Sequence, residues 1–417
     1  MRNRVQITGV KGTRDILPQE ARRWQEVETE IKQIFELYSY REIRTPVFEP
    51  TELFERGTGE TSDVVIKEMY TFKDKGGRSL TLRPEYTPSV VRSIIENRLY
   101  LKPEPLRFYF IGPMFRYDRP QKGRYRQFHQ VDIEVFGEKD PAIDAEIVEM
   151  ADFLLRRLKV SDFEILVNSV GCKKCRPSYL EIIRIQAEGR REELCQDCQR
   201  KISLNPLRIF DCKNEMCREI SKGFSKVIDY LCQECGEHFE KFCSYLSSYG
   251  LKFRIEPRLV RGLDYYTKTT FEIISSKLGA QDAILGGGRY DEMMKEFGGP
   301  DICGIGFAMG MERLLSVIPF SGKKERFLYL AFLGEEAKKA GMELARFLRH
   351  QGIETLIEYR GKNLKSQLSR ANKLEATWVL IVGEEEVKKG KYKLKEMRSG
   401  IQREVTREEI IRSLHAR

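Results

Sequence analysis

RFYFIGPMFRYDRPQKGRYRQFHQVDIEVF, residues 107–136, is the stretch whose reading decides the fold. Arg107 to Ile111 is aromatic and β-branched, as a strand should be, and Gly112-Pro113 punctuates its end. Gln127 to Phe136 alternates: His129, Val131, Ile133 and Val135 point one way, Gln130, Asp132 and Glu134 the other. Between them runs a cationic loop with Arg116, Arg119, Lys122, Arg124 and Arg126, interleaved with Tyr117 and Tyr125. Two antiparallel strands are expected, with an apolar core face. On alternation alone the other face reads as the wet side of a hairpin. A loop so rich in arginine also suits phosphates or a nucleic-acid end, because the guanidinium fork grips two oxygens and stacks on bases.

This stretch resembles motif 2 of the class II aminoacyl-tRNA synthetases, and Arg119 to Phe128 resembles the histidyl family in particular. Further resemblances recur along the chain. Tyr40 to Pro50, extended and limited by Pro46 and Pro50, is similar to motif 1, which implies a homodimer interface. The text from Leu53 to Phe72, with Gly57 and Gly59 expected in a tight loop, is also typical of that family. Ser79 to Arg83 reads as a strand, and Thr87-Pro88 as N-cap and first turn of a helix reaching Asn97. Glu85, between the two, either favours that helix N-terminus electrostatically or, as the resemblance implies, joins Thr87 in binding the substrate's amino group.

The segment from Arg258 to Thr267 is similar to the signature peptide of histidyl enzymes. Arg261 is then expected to supply fixed positive charge at a phosphorus centre. If Tyr265 and Tyr266 alternate along a strand, only one faces the site, and the resemblance favours Tyr266. Leu285 to Asp291 carries three glycines and Tyr290, which matches a residue of the histidine pocket; no Lys-Ser or Lys-Thr follows, so it is not a Walker loop. Ile302 to Leu315 resembles motif 3, a glycine-bearing strand and then a helix carrying Arg313.

Carried over residue by residue, the resemblance implies Arg116 and Arg261 as catalytic groups. ATP would be bound by Arg116, Asp118, Arg124, Arg261 and Arg313, with Mg²⁺. Histidine would be bound by Glu85, Thr87, Gln130, Glu134, Tyr265, Tyr266 and Tyr290. Arg119 and Gln121 would meet the tRNA acceptor end. Two positions depart from the family pattern: Asp118 stands where glutamate is usual, and Tyr86 where glycine is expected.

The chain has 417 residues, 41% hydrophobic and 33% charged, enough for two or three soluble domains. No apolar run approaches the roughly 20 residues of a membrane span, and the N-terminus lacks a signal-peptide pattern. A cytoplasmic location is expected. The net charge of +10 fits a polyanionic partner. Nine of the ten cysteines lie between Cys172 and Cys243. Cys172/Cys175, Cys195/Cys198, Cys212/Cys217 and Cys232/Cys235 supply eight thiols, enough for two structural zinc sites; disulfides or free buried thiols are the alternatives.

The expected architecture is an α+β core on an antiparallel sheet (residues 1–170 and 251–326). A helical cysteine-rich insertion (171–250) and a C-terminal α/β domain (327–417) complete it. The last has 19 Lys and Arg against 13 Glu and resembles an anticodon-binding domain. The expected activity is ATP-dependent ligation of histidine to its tRNA. A non-catalytic, histidine-sensing paralogue would lack that last domain and the phosphate-gripping arginines, which are all present. A zinc-stabilised RNA-binding protein built on a dead synthetase core is the other alternative.

Overall fold

The computed structural model describes residues 7–59, 62, 64–103, 105–120, 123–279, 282–319, 326–360 and 363–415. The chain divides into two units, Met1–Pro319 and Phe320–Arg417.

In the first unit, β1 (Arg41–Glu42), β2 (Phe48–Pro50), β3 (Tyr70–Lys73) and β4 (Ser79–Leu82) precede the long hairpin of β5 (Leu106–Phe115) and β6 (Gln127–Phe136). Then come β7 (Glu164–Ser169), β8 (Phe253–Ile255), β9 (Thr267–Ile274), β10 (Ala283–Arg289) and β11 (Gly304–Gly310). Eight of these form one sheet in the order β1-β5-β6-β11-β10-β9-β7-β8, and β2-β4-β3 form a small second sheet. From β5 to β7 every pairing is antiparallel. Only the short edge strands β1 and β8 pair in parallel.

One face of the large sheet is dry. Val131, Ile133 and Val135 of β6 meet Trp24, Val27, Ile31, Ile34 and Phe35 from the helix Pro18–Leu37 in a single core. The helix Pro141–Arg157 packs into the same core and starts cleanly, because Asp140 caps it by accepting from the Ala142 amide at 2.8 Å. The opposite face of β6 is not the wet side that its alternation implies. Asp132 and Glu134 are each only 3% exposed, because other parts of the chain fold over them.

Two local expectations change. Arg56, Gly57 and Thr58 lie in the helix Thr51–Thr58, not in a loop. Gly57 is needed there for close packing against Phe297 and Pro88, and the chain leaves the helix at Gly59 (φ +94°). Thr87 is the first residue of the helix Thr87–Glu96, with Tyr86 at the cap position, and its hydroxyl points to Glu134 instead of capping.

The insertion is helical and carries a small core of its own, including Tyr179, Ile183, Ile202, Ile209 and Phe224. The second unit is an α/β fold. Its strands are β12 (Leu328–Leu333), β13 (Thr355–Ile357), β14 (Trp378–Gly383), β15 (Tyr392–Glu396) and β16 (Gln402–Val405), ordered β13-β12-β14-β15-β16. The first three are parallel and the last two antiparallel additions. A helix at Glu384–Lys389, absent from the sequence expectation, links β14 to β15.

A buried ion pair ties the first unit together. Arg289 at the end of β10 donates to Asp144 from Nε at 2.8 Å, and His238 Nε2 lies 2.9 Å from the same carboxylate. Burial opposes the charge on Asp144, but Arg289 and His238 overcome it and hold the carboxyl below its usual range. Removing one partner strands the other charge in a dry interior. Asp144→Ala is therefore expected to destabilise the fold by about 3–5 kcal/mol, read from chemical denaturation curves.

Candidate active site

The covered face of the large sheet is the floor of a cavity of about 600 Å³. Gln130, Asp132 and Glu134 project from β6 into it, and Glu85 joins them from the turn between β4 and the helix Thr87–Glu96. Strand periodicity places the first three side chains on one face; only the tertiary cover makes that face an interior.

The carboxylates are held by hydroxyls. Glu134 accepts from Thr87 Oγ1 at 2.5 Å and from the Tyr290 hydroxyl. Glu85 accepts from Thr58 Oγ1 and, at 2.9 Å, from the Tyr265 hydroxyl. Burial raises all of their pKa values, that of Glu134 to about 8 and that of Asp132 well above the usual range, with carboxylate neighbours adding to the Asp132 shift. Gly306, opposite Glu134 in the β6–β11 register, makes this burial possible: a Cβ there would lie 2.0 Å from a Glu134 oxygen.

Several polar atoms on these walls are buried with no hydrogen-bond partner among the described residues: Gln130 Oε1, both oxygens of Asp132 and Arg261 Nε. Unpaired polar atoms in an interior are costly, so a set of them around one cavity marks a place for a polar ligand. Acceptors lie on the floor, and cations stand above.

Those cations come from three distant peptides. Arg116 leaves β5, donates from Nε to the Pro84 carbonyl at 2.8 Å and stacks on Phe128. Arg261 pairs with Glu272 at 2.6 Å, and its guanidinium lies flat over β10, where a Cβ on Gly286 would fall 2.1 Å from it. Arg313 lies in the first turn of the helix Met311–Val317 and donates to the Ala283 carbonyl at 3.0 Å. All three line the same cavity. Burial lowers the Arg313 pKa, and the charges of Arg124, Arg116 and Arg261 lower it further, so these guanidinium groups feel one another. For Arg261 burial is the largest influence and lowers the pKa, but Glu272 together with Tyr266 and Tyr265 outweighs it and the net shift is upward.

Asp118 and Arg124 pair at 2.7 Å on the cavity wall. Arg119 is exposed and outside the cavity, and Gln121 lies outside the described residues. Both Tyr265 and Tyr266 line the cavity, their ring centroids 4.7 Å apart. They precede β9 in a turn, so strand alternation does not apply and the choice of Tyr266 alone is corrected.

Sequence reasoning placed Asp132 on the floor but gave it no role; a third acidic residue in phase with Gln130 and Glu134 was the available signal. It also missed the insertion's share of the wall, where Arg208, Phe210 and Asp211 line the cavity. Nothing local in residues 208–211 signals that placement.

Comparison with known proteins accounts for nearly the whole chain. A family model described as histidyl-tRNA synthetase matches residues 12–201 and 220–314, and an anticodon binding domain model matches 315–417. The histidine–tRNA ligase of Halothermothrix orenii is 48% identical over 413 residues, covering 98% of this chain and 99% of that one. That of Desulfitobacterium hafniense is 49% identical over 400 residues, covering 95% and 94%. The crystal structure of apo S. aureus histidyl-tRNA synthetase superposes with a TM-score of 0.82 at 33% identity, covering 98% of this chain and all of the other.

The raised floor pKa values fix a sign. Between pH of about 4.5 and 8 the folded chain holds more protons on Glu134 than the unfolded chain, so stability falls as pH rises through that window. The melting temperature of the ligand-free protein should drop across this range. Glu134→Gln should flatten the drop without abolishing it, since Glu85 and Asp132 titrate in the same direction. Thermal denaturation at stepped pH checks both.

Proposed function

The chain belongs to the histidyl-tRNA synthetase family, and on that premise we propose that it joins L-histidine to histidine tRNA through a histidyl-adenylate formed from ATP. The observation that carries the reading is the convergence of Arg116, Arg261 and Arg313 on one cavity whose floor presents Gln130, Asp132 and Glu134. That arrangement suits an anionic nucleotide above and a cationic, donor-rich amino acid below.

In this mechanism no side chain attacks. The histidine carboxylate displaces pyrophosphate from the α-phosphorus of ATP, and a terminal ribose hydroxyl of the tRNA then displaces AMP from the adenylate carbonyl. Catalysis consists of alignment and of charge stabilisation. Arg116 and Arg261 bracket the α-phosphate and Arg313 holds the γ-phosphate, with Arg124 and Asp118 toward the adenine. Arg261 is well prepared for this. Glu272 fixes its orientation through one terminal nitrogen, while its buried Nε has no partner. Burial raises the Glu272 pKa, Arg261 opposes that shift, and the charges of Asp211 and Asp282 add to it. Mg²⁺ carried with ATP would neutralise phosphate charge.

On the floor, Glu85 and Thr87 take the α-ammonium with Gln130, and Glu134 accepts an imidazole N–H beside Tyr265, Tyr266 and Tyr290. Groups buried to satisfy both ring nitrogens reject side chains that lack them, so no editing site is required. Arg119 and Gln121 are assigned to the acceptor end of the tRNA. Residues 327–417 are assigned to the anticodon, 1–170 and 251–326 to catalysis.

The reading includes a homodimer in the cytoplasm. Its interface is placed near Tyr40–Pro50, where Val47 and Phe48 are exposed. Among the described residues no helix is long and apolar enough to cross a membrane.

Histidine-dependent ATP–pyrophosphate exchange is the direct test. Arg261→Ala should lower the exchange rate by about 10²–10³-fold while calorimetry shows little change in histidine binding. Gly286→Ala should lower exchange in the same direction, because its Cβ occupies the seat of the Arg261 guanidinium. Wild-type exchange rates in both variants would sink the assignment.

A further inference from the structure

We propose that the insertion holds two structural zinc ions, one on Cys172, Cys175, Cys232 and Cys235 and one on Cys195, Cys198, Cys212 and Cys217. By these ions it braces the loop that carries Arg261. The sequence shows four thiol pairs without saying which pairs meet. The fold sorts them in a nested way: the first pair meets the last, and the two middle pairs meet each other. Within each set the four sulfurs all lie within 4.8 Å of one another.

The distances discriminate among the states open to eight clustered thiols. Cys172–Cys175 and Cys172–Cys232 are 3.8 Å apart, Cys175–Cys235 3.9 Å and Cys195–Cys212 3.8 Å. A disulfide requires sulfurs about 2.05 Å apart. Four thiolates around Zn²⁺ at about 2.3 Å form a tetrahedron with edges of about 3.8 Å, which is the spacing found. An iron–sulfur cube would force the thiolates wider, because iron and sulfide atoms lie between them. Soft sulfur donors in a tetrahedral set select zinc over magnesium or calcium.

The backbone is arranged for thiolates. The amides of Cys172 and Lys174 point at sulfurs of the first set, at 3.3 and 3.4 Å. Those of Cys195 and Cys198 do so in the second, at 3.2 and 3.5 Å. Cys195 and Cys232 also occupy the N-cap positions of the helices Gln196–Leu204 and Gln233–Ser248, where the helix dipole favours negative charge. Cys243 and Cys303 belong to neither set. Binding releases the thiol protons to solvent and involves no redox change.

The consequence for the active site follows from the neighbours of the ligands and rests on the function proposed above. Arg176, next to Cys175, donates to the carbonyl of Tyr266 and, at 2.9 Å, to that of Val170. Arg208, in the short helix leading to Cys212, donates to the Gly262 carbonyl at 2.8 Å and to Asp264 at 2.9 Å. Asn205 donates to the same Asp264 at 3.0 Å. Residues 261–266 are thus held at both ends by groups that the two thiol clusters position. Asp211, adjacent to Cys212, lines the cavity near Arg261.

Metal content of the full-length protein, purified under reducing conditions without added metal, tests the sites independently of any activity. About two zinc ions per chain are expected. Cobalt(II) exchanged into the protein should give the intense thiolate charge-transfer and d–d absorption of tetrahedral four-sulfur sites, saturating at two equivalents. One ion or none, iron in place of zinc, or disulfides among these eight cysteines overturns the assignment. If Cys195→Ser/Cys198→Ser fails to fold, reversible zinc removal from the wild-type chain by a chelator replaces it.

Either perturbation should speed hydrogen exchange in the 261–266 peptide and slow adenylation by about 10²-fold, as a displacement of about 1 Å would. Added zinc should restore the chelated protein. Unchanged exchange in that peptide overturns the bracing role. Two bound zinc ions in a protein without pyrophosphate exchange would leave the metal sites standing and sink only the enzymatic reading.

Discussion

Burying three carboxylates on one floor is the constraint from which the rest of the first unit follows. Glu85, Asp132 and Glu134 have almost no contact with solvent, and each loses several kcal/mol of hydration if ionised there. Hydroxyls of Thr58, Thr87, Tyr265 and Tyr290 recover part of that cost for Glu85 and Glu134. Asp132 has no such partner among the described residues, and only the charges of Arg83 and Arg116 offset part of its burial. A floor of this kind is incomplete by itself and gains most from a ligand rich in donors.

The scaffold keeps that floor from relaxing. Asp132 and Glu134 stand on β6, an interior strand of the eight-stranded sheet, and cannot swing to water. A helical layer packs the opposite face, and the Arg289–Asp144 pair pins the end of β10. Two glycines then give the charges their seats, Gly306 for Glu134 and Gly286 for Arg261. Opposite charges are thereby held around one cavity, the condition for recognising a zwitterionic amino acid and a polyphosphate together. The insertion closes one side with Arg208 and Asp211, so residues far from the sheet in sequence help to set the field around Arg261.

Much of this was legible in the chain. The 2-residue alternation of β6 and the glycine-bearing strand β11 sit where the sequence implied, and the arginines of three separated peptides line one cavity. What local pattern does not carry is environment. Alternation alone leaves the polar face of β6 open between a wet side and a binding floor, because an antiparallel sheet commonly has one wet face and nothing local says what folds over it. Strand alternation would let only one of Tyr265 and Tyr266 face the site, but both precede β9 outside any strand, where successive side chains can converge. Thr87 was read as a cap because its local competition is with backbone amides; a carboxylate 47 positions away offered the better partner.

By itself, then, the sequence determined many of the elements, the dry face of β6 and the identity of the charged groups, because these depend on periodicity and on side-chain chemistry within a few residues. It determined too that eight thiols lie in four close pairs. Tertiary structure alone decided which pairs meet, which carboxylates are shut away from water, and that both adjacent tyrosines share one cavity. Such outcomes depend on contacts between residues tens to hundreds of positions apart, and on burial, which converts an ordinary acidic side chain into one that holds its proton near neutral pH.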